Sequence, residues 1–141
     1  MDSKTEPKTI ILIETNLFFS TALSGNLKRL GYGVEVEKSW EGVRAKISVV
    51  EKSGLDQSGG ALKAGGSIRA VIINLAAPGL DAAAIIKNLK SHPETSSIPV
   101  IGFGGHQDKA RLEAAAAAGC DQVVTNGVIS SSLEAVLRRI P

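Results

Sequence analysis

Polar residues and glycines that could do chemistry stand at the ends of four short apolar runs. Each run has the length and the β-branched composition of a buried strand. The carboxyl ends of parallel strands meet at one edge of a sheet, and ligands bind in the crevice beyond that edge. The sequence therefore predicts one site, formed by these residues: Glu14, Thr15, Asn16, Asn74, Gly104, Gly105 and Asn126.

This predicted site holds one carboxylate and no basic residue. Glu14 could act as an acid or as a metal ligand, but a lone carboxylate at a strand end more often accepts hydrogen bonds from the amides of the next helix. Asn74 could hydrogen-bond Glu14 or Asn126 and so hold the surrounding loops in one state. No nucleophile stands beside a base, which argues against an enzyme.

A glycine-rich segment, GFGG at 102–105, follows one predicted strand and precedes a helix. Backbone amides at such a place attract anions, so Gly104 and Gly105 could form an anion-binding loop. The spacing fits neither the dinucleotide-binding motif nor the P-loop. A flexible turn is therefore the alternative interpretation of this segment.

The remaining residues of reactive type are isolated from one another. His92 and His106 lack cysteine or acidic companions at metal-ligand spacing and are expected on the surface. Cys120 has no catalytic histidine motif beside it and is expected to pack in the core. The sequence predicts neither a metal site nor a cofactor.

Hydrophobic periodicity predicts strands that alternate with helices along the chain. The strands are predicted at Thr9–Ile13, 34–37, 70–75, within 97–103 and at Gln122–Thr125. The helices are predicted at 16–30, 40–50, 81–90 and 107–118, with a last helix starting at a capping box of Ser131 and Glu134. Five strands and five helices in alternation predict an α/β fold with a doubly wound parallel sheet, covered by helices on both faces.

Length and composition predict a single domain. The chain has 141 residues, and we expect a disordered tail at 1–8, a domain at 9–141 and a flexible Gly/Ser-rich insertion at about 52–67. A net charge of +2 with scattered basic residues, and an aromatic content of 4%, argue against nucleic acid. The absence of a long apolar run and of a signal-peptide core predicts a cytoplasmic protein without a membrane partner.

Three segments carry a resemblance to a known family: VIINLAAPGLD at 71–81, HPETSSIPVI at 92–101 and AAGCDQ at 117–122. They resemble the receiver domain of bacterial response regulators, and the resemblance extends over nearly the whole chain apart from the tail and the insertion. It implies a CheY-like, flavodoxin-like sheet of five strands in the order 2-1-3-4-5.

The resemblance also assigns a meaning to the predicted site. Receivers are phosphorylated on an aspartate after the third strand, with magnesium held by that aspartate and an acidic pair, and they use a hydroxyl and a lysine after the next two strands. Here those positions hold other residues, so the phosphorylation site is degenerate. The positions concerned are Asn74 for the acceptor, Glu14 and Thr15 for the pair, Gly104 for the hydroxyl and Asn126 for the lysine.

The resulting expectation is an atypical receiver-like domain that is not phosphorylated and serves as a protein-interaction and regulatory module in bacterial two-component signalling. The resemblance implies that the fourth helix, the fifth strand and the last helix carry contacts with a protein partner or a second copy of the chain. The alternative is a flavodoxin-like binder of a small ligand or an anion, using the glycine-rich loop at 102–105.

Overall fold

The computed structural model describes residues 8–45, 68–93 and 95–140, which form one parallel sheet covered by helices on both faces. The strands are β1 (Thr9–Ile13), β2 (Gly33–Glu37), β3 (Ile68–Asn74), β4 (Val100–Gly104) and β5 (Gln122–Thr125). Their order is β2-β1-β3-β4-β5, and every neighbouring pair is parallel. This confirms the predicted fold class and strand order.

Helices connect or follow these strands. They are α1 (Leu17–Arg29), α2 (described at 40–45), α3 (Ala82–Ser91), α4 (Lys109–Ala118), α5 (Asn126–Ser131) and α6 (Leu133–Arg139). The α1 helix begins where the Asn16 side chain accepts a hydrogen bond from the amide of Phe19. The α4 helix ends at Gly119, whose φ of 114° is a left-handed conformation that favours glycine, as its predicted C-terminal position requires.

Side chains alternate between the two faces of the central strands and so divide the core in two. Ile11 and Ile13 of β1 pack with residues of α3 and α4 on one face. Ile10 and Leu12 pack on the other face with residues of α1, α5 and α6. All four side chains are fully buried, which explains why β1 has an uninterrupted apolar sequence.

The predicted start of the last helix is wrong. The chain forms two short helices instead, because the Thr125 side chain accepts a hydrogen bond from the amide of Val128 and starts α5 directly after β5. Ser131 therefore ends α5 and donates its hydroxyl to the carbonyl of Gly127 at 2.7 Å. Glu134 pairs with an arginine one turn later and does not complete a capping box.

Part of the predicted organisation lies outside the described residues. This applies to the tail at 1–7, to the end of the helix predicted at 40–50 and to the Gly/Ser-rich insertion at about 52–67. Within the described ranges, no helix combines the length and the apolar character needed to cross a membrane.

Candidate functional site

The strand register brings the predicted site residues to one edge of the sheet. Ile13 of β1 pairs with Ile73 of β3, so the residues that follow them, Glu14 and Asn74, are neighbours. The register continues from Asn74 to Phe103 on β4 and from Gly104 to Thr125 on β5. Asn126 follows Thr125 directly, so the edge runs from Glu14 to Asn126 as the sequence predicts.

A hydrogen-bonded pair of Glu14 and Asn74 lies at the centre of this edge. The amide nitrogen Nδ2 of Asn74 donates to Glu14 Oε1 at 2.8 Å and to Glu14 Oε2 at 3.0 Å. Glu14 is only 1% exposed, so its carboxylate depends on such donors in place of water. Of the two partners proposed for Asn74, the structure selects Glu14.

Glu14 also organises the segment that leads into α1. Its Oε2 accepts a hydrogen bond from the backbone amide of Asn16 at 2.9 Å, and its own backbone amide donates to the carbonyl of Glu37 at the end of β2. This confirms that the carboxylate is an acceptor for the backbone that follows it. The amide it binds belongs to the cap residue of α1, one position before the helix.

The other end of the Asn74 side chain holds a second loop. Its Oδ1 accepts a hydrogen bond from the amide of Ala76 at 2.9 Å, at the start of the turn between β3 and α3. The same side chain therefore donates to one loop and accepts from the other. An aspartate could accept from Ala76, but its ionised form has no proton to donate to Glu14.

The two glycines of β4 differ in the space that surrounds them. A Cβ atom on Gly102 would lie 2.9 Å from Leu75 Cδ2 and 3.1 Å from Cys120 Sγ, so close packing requires glycine there. A Cβ on Gly104 would meet its nearest atom, Leu112 Cδ2, at an ordinary 3.6 Å. Packing therefore does not require glycine at position 104.

The loop after β4 and the start of α5 complete the edge. A Cβ on Gly105 would meet nothing within 4 Å, and the carbonyl of Gly105 accepts from the amide of Asp108 in a turn that leads to α4. Asn126 is the first residue of α5. The hydroxyl of Thr15 is buried and has no hydrogen-bond partner among the described residues.

The site residues do not fit a magnesium ion. Magnesium is held mainly through carboxylates and phosphate oxygens, whereas both oxygens of Glu14 already accept hydrogen bonds. Over the described ranges, no group of three or more histidine, cysteine, aspartate or glutamate side chains is arranged to hold a metal ion.

The isolated reactive residues lie where the sequence predicts. His92 and His106 are exposed, and His92 Nδ1 lies 2.7 Å from the carbonyl of Asn88 at the end of α3. Cys120 is partly buried against the core. Burial raises the pKa of its thiol to about 11, so little reactive thiolate forms at neutral pH.

Comparisons with known proteins give a clear answer on the fold. No protein-family model and no curated protein sequence matches the chain. The chemotaxis response regulator CheY4 of Vibrio cholerae superposes with a TM-score of 0.74 at 12% identity, covering 96% of this chain and 99% of that one. The chain has the receiver fold.

Two further structures with the receiver fold cover similar shares. The receiver domain of a signal transduction histidine kinase from Syntrophus aciditrophicus gives a TM-score of 0.72 at 20% identity, with coverage of 94% and 89%. The receiver domain of a sensor histidine kinase from Pseudomonas aeruginosa gives 0.71 at 18% identity, with coverage of 95% and 97%, and its structure holds magnesium in the active-site cleft. At these identities the likeness establishes the receiver fold alone.

Sequence reasoning missed an exposed apolar feature beside the site. Leu17 and Phe18, in the first turn of α1, are 75% and 86% exposed. The helical periodicity identified the leucines of the buried face but not these two residues. The sequence could have indicated this exposure, because Leu17 and Phe18 lie outside the helical stripe that contains Leu23 and Leu27.

Proposed function

We propose that this chain is a regulatory module with the receiver fold that does not accept a phosphoryl group and acts by binding a protein partner in bacterial signal transduction. The observation that carries this proposal is the Glu14–Asn74 pair. The end of β3 presents an amide in place of a carboxylate nucleophile, and that amide is engaged with the one acidic residue of the site.

The chemistry of the other positions supports the same proposal. An acyl phosphate forms only on a carboxylate, and Asn74 has none. Gly104 offers no hydroxyl and Asn126 no cation for the oxygens of a phosphoryl group. One carboxylate, Glu14, stands at these positions without a cation, and neutral donors, the amide of Asn74 and the backbone amide of Asn16, hydrogen-bond to it. We therefore propose a non-enzymatic role in the cytoplasm.

The proposed partner surface is the face formed by α4, β5 and the last helix, α6. Several exposed alanines of α4 give this face a smooth surface. A smooth helix permits close approach by another protein. This role for the face comes from the resemblance to receivers, and the small side chains are compatible with it.

The alternative function, an anion or small-ligand binder, has weaker support. The open backbone at Gly105 would admit an anion, but the one charged side chain among the predicted site residues is the carboxylate of Glu14, which would repel one. None of the predicted site residues is basic. We therefore favour the interaction module over the ligand binder.

Incubation with acetyl phosphate and magnesium, followed by intact-mass spectrometry, tests the proposal. The unaltered chain should gain no phosphoryl mass, because no residue of the site can form an acyl phosphate. The matched variant carries Thr15→Asp, Asn74→Asp, Gly104→Thr and Asn126→Lys, and it should gain one phosphoryl group. A phosphoryl group on the unaltered chain would contradict the proposal.

A further inference from the structure

The first peptide bond of α5 joins an asparagine to an exposed glycine. Gly127 is exposed, and a Cβ atom on it would meet nothing within 4 Å. Asn126 is half-buried, and its side chain has no hydrogen-bond partner among the described residues. Water therefore reaches this peptide bond, and no protein group holds the side-chain amide in place.

The backbone amide of Gly127 also lacks an acceptor. It occupies the second position of α5, and the first amides of a helix have no acceptor within the helix. The side chain of Thr125 accepts from the next amide, that of Val128, and no residue in the described ranges accepts from Gly127. A peptide nitrogen without an acceptor is available, once it loses its proton, to attack a neighbouring carbonyl carbon.

The other asparagines of the chain lack this combination. Each of them precedes a leucine: Asn16, Asn26, Asn74 and Asn88. A leucine side chain crowds the ring that such an attack would form, whereas glycine has no Cβ and adapts its backbone. At Asn74 the following amide is engaged as well, because Leu75 donates it to the carbonyl of Phe103 at 2.9 Å. Asn126 is thus the asparagine that the chain leaves open to cyclisation.

We propose that the Asn126–Gly127 bond is a modification site, at which the chain spontaneously forms a succinimide and then aspartate or isoaspartate. The nitrogen of Gly127 attacks Cγ of Asn126, and a new C–N bond forms. The bond from Cγ to the side-chain nitrogen breaks, and ammonia leaves with the proton of the Gly127 amide. Water then opens the ring: attack at Cγ leaves aspartate, and attack at the main-chain carbonyl carbon leaves isoaspartate.

The hydrogen bonds at the start of α5 control the rate of this reaction. The five-membered ring requires the Asn126 backbone to leave the helical conformation, so the first turn of α5 must open. Two side chains oppose the opening: Thr125 Oγ1 accepts from the Val128 amide at 3.3 Å, and the Ser131 hydroxyl donates to the Gly127 carbonyl at 2.7 Å. The helix has only six residues, and so short a helix is marginal by itself. The cap residue Thr125 therefore protects the bond only in part.

The products change the charge and the packing of this edge. A carboxylate replaces a neutral amide at Asn126, so the site gains an acidic side chain in addition to Glu14. Isoaspartate also lengthens the backbone in the first turn of α5, whose Ile129 is fully buried in the core. The isoaspartate form should therefore unfold at a lower temperature than the parent chain. This inference does not depend on the Glu14–Asn74 pair, so either can fail without the other.

Incubation of the folded chain at mildly alkaline pH, followed by peptide mapping and labelling with an isoaspartate-specific methyltransferase, tests the inference. Aspartate and isoaspartate should accumulate at Asn126 as ammonia is released, while the four asparagines that precede leucine stay unmodified. Gly127→Ala should slow the reaction about tenfold or more, because the added methyl group crowds the ring and alanine stabilises the helical turn. The open space around Gly127 means that this variant folds like the parent.

Variants of Thr125 test the control by the cap. Thr125→Val removes the hydroxyl and should speed the reaction about fivefold, the factor by which loss of a typical cap eases opening of the first turn. Thr125→Ser keeps an oxygen for the Val128 amide and should react at nearly the parent rate. All rates are measured well below the unfolding temperature of each variant, so that the folded chain is the species that reacts.

The rates decide the inference. It is overturned if Asn126 changes no faster than the asparagines that precede leucine, or if Gly127→Ala reacts as fast as the parent. Equal rates for Thr125→Val and Thr125→Ser would overturn the role of the cap.

Discussion

The side chain of Asn74 joins two loops through the two ends of one amide. It donates to the buried carboxylate of Glu14 and accepts from the amide of Ala76, so neither loop can move without breaking a hydrogen bond. The residue type matters because an amide offers both a donor and an acceptor, whereas an ionised carboxylate offers acceptors alone. The side chain therefore links the two loops at the edge of the sheet.

Asn74→Asp should destabilise the fold at neutral pH by about 1–3 kcal/mol, because a buried hydrogen bond is replaced by two carboxylates in contact. The loss should shrink in acid, where one of the two carboxyl groups takes up a proton and donates to the other. Urea unfolding between neutral and acidic pH measures both effects.

The matched control exchanges the two residue types. In the double variant Glu14→Gln with Asn74→Asp, one amide again faces one carboxylate, so most of the lost stability should return. Independent, additive losses from the two substitutions would show that Glu14 and Asn74 do not act as a pair.

At the scale of single residues, the sequence predicted which residues form the site but not the hydrogen bonds between them. It left Asn74 with two candidate partners, Glu14 and Asn126. The strand order decides between them, because β1 is adjacent to β3 whereas β5 lies two strand spacings away, roughly 10 Å. The second bond, from Asn74 Oδ1 to Ala76, depends on a local turn that hydrophobic periodicity does not encode.

At the scale of elements, close packing in β4 requires glycine at position 102 but not at position 104. Gly102→Ala should cost about 1–3 kcal/mol, because its Cβ would press on the packed side chains of Leu75 and Cys120. Gly104→Ala should be neutral or stabilise by up to ~1 kcal/mol, since its Cβ makes only ordinary contacts. Chemical denaturation of the two variants measures the difference, and equal effects would contradict the packing argument.

The elements themselves were largely predictable, and the exception has a local cause. Buried strands such as β1 and β3 are continuous apolar runs, so their positions follow from the sequence alone. The short helix α5 was missed because the side chain of Thr125 caps a helical turn immediately after β5. The helix that follows has Ser132 as its cap residue, one position after the predicted Ser131. A threonine at the end of a β-branched run looks like part of the strand and gives no separate signal of a cap.

In the molecule as a whole, the residues that maintain the fold differ from those that determine the chemistry of the site. The buried faces of β1, β3 and β4 maintain the sheet, and structures with the receiver fold superpose at only 12–20% identity. The carboxyl edge contributes little to that core, so its residues can change without loss of the fold. This is why the sequence predicted the sheet and its strand order while the function rests on the identity of a few edge residues.

The most direct test of the central claim is a titration with beryllofluoride and magnesium followed by amide NMR. Beryllofluoride mimics a phosphoryl group on a carboxylate, and Asn74 provides none to receive it. We predict no saturable shifts at the amides of Gly104, Asn126 and their neighbours. Saturable shifts at these amides would contradict the account and show that the edge still binds a phosphoryl-like group.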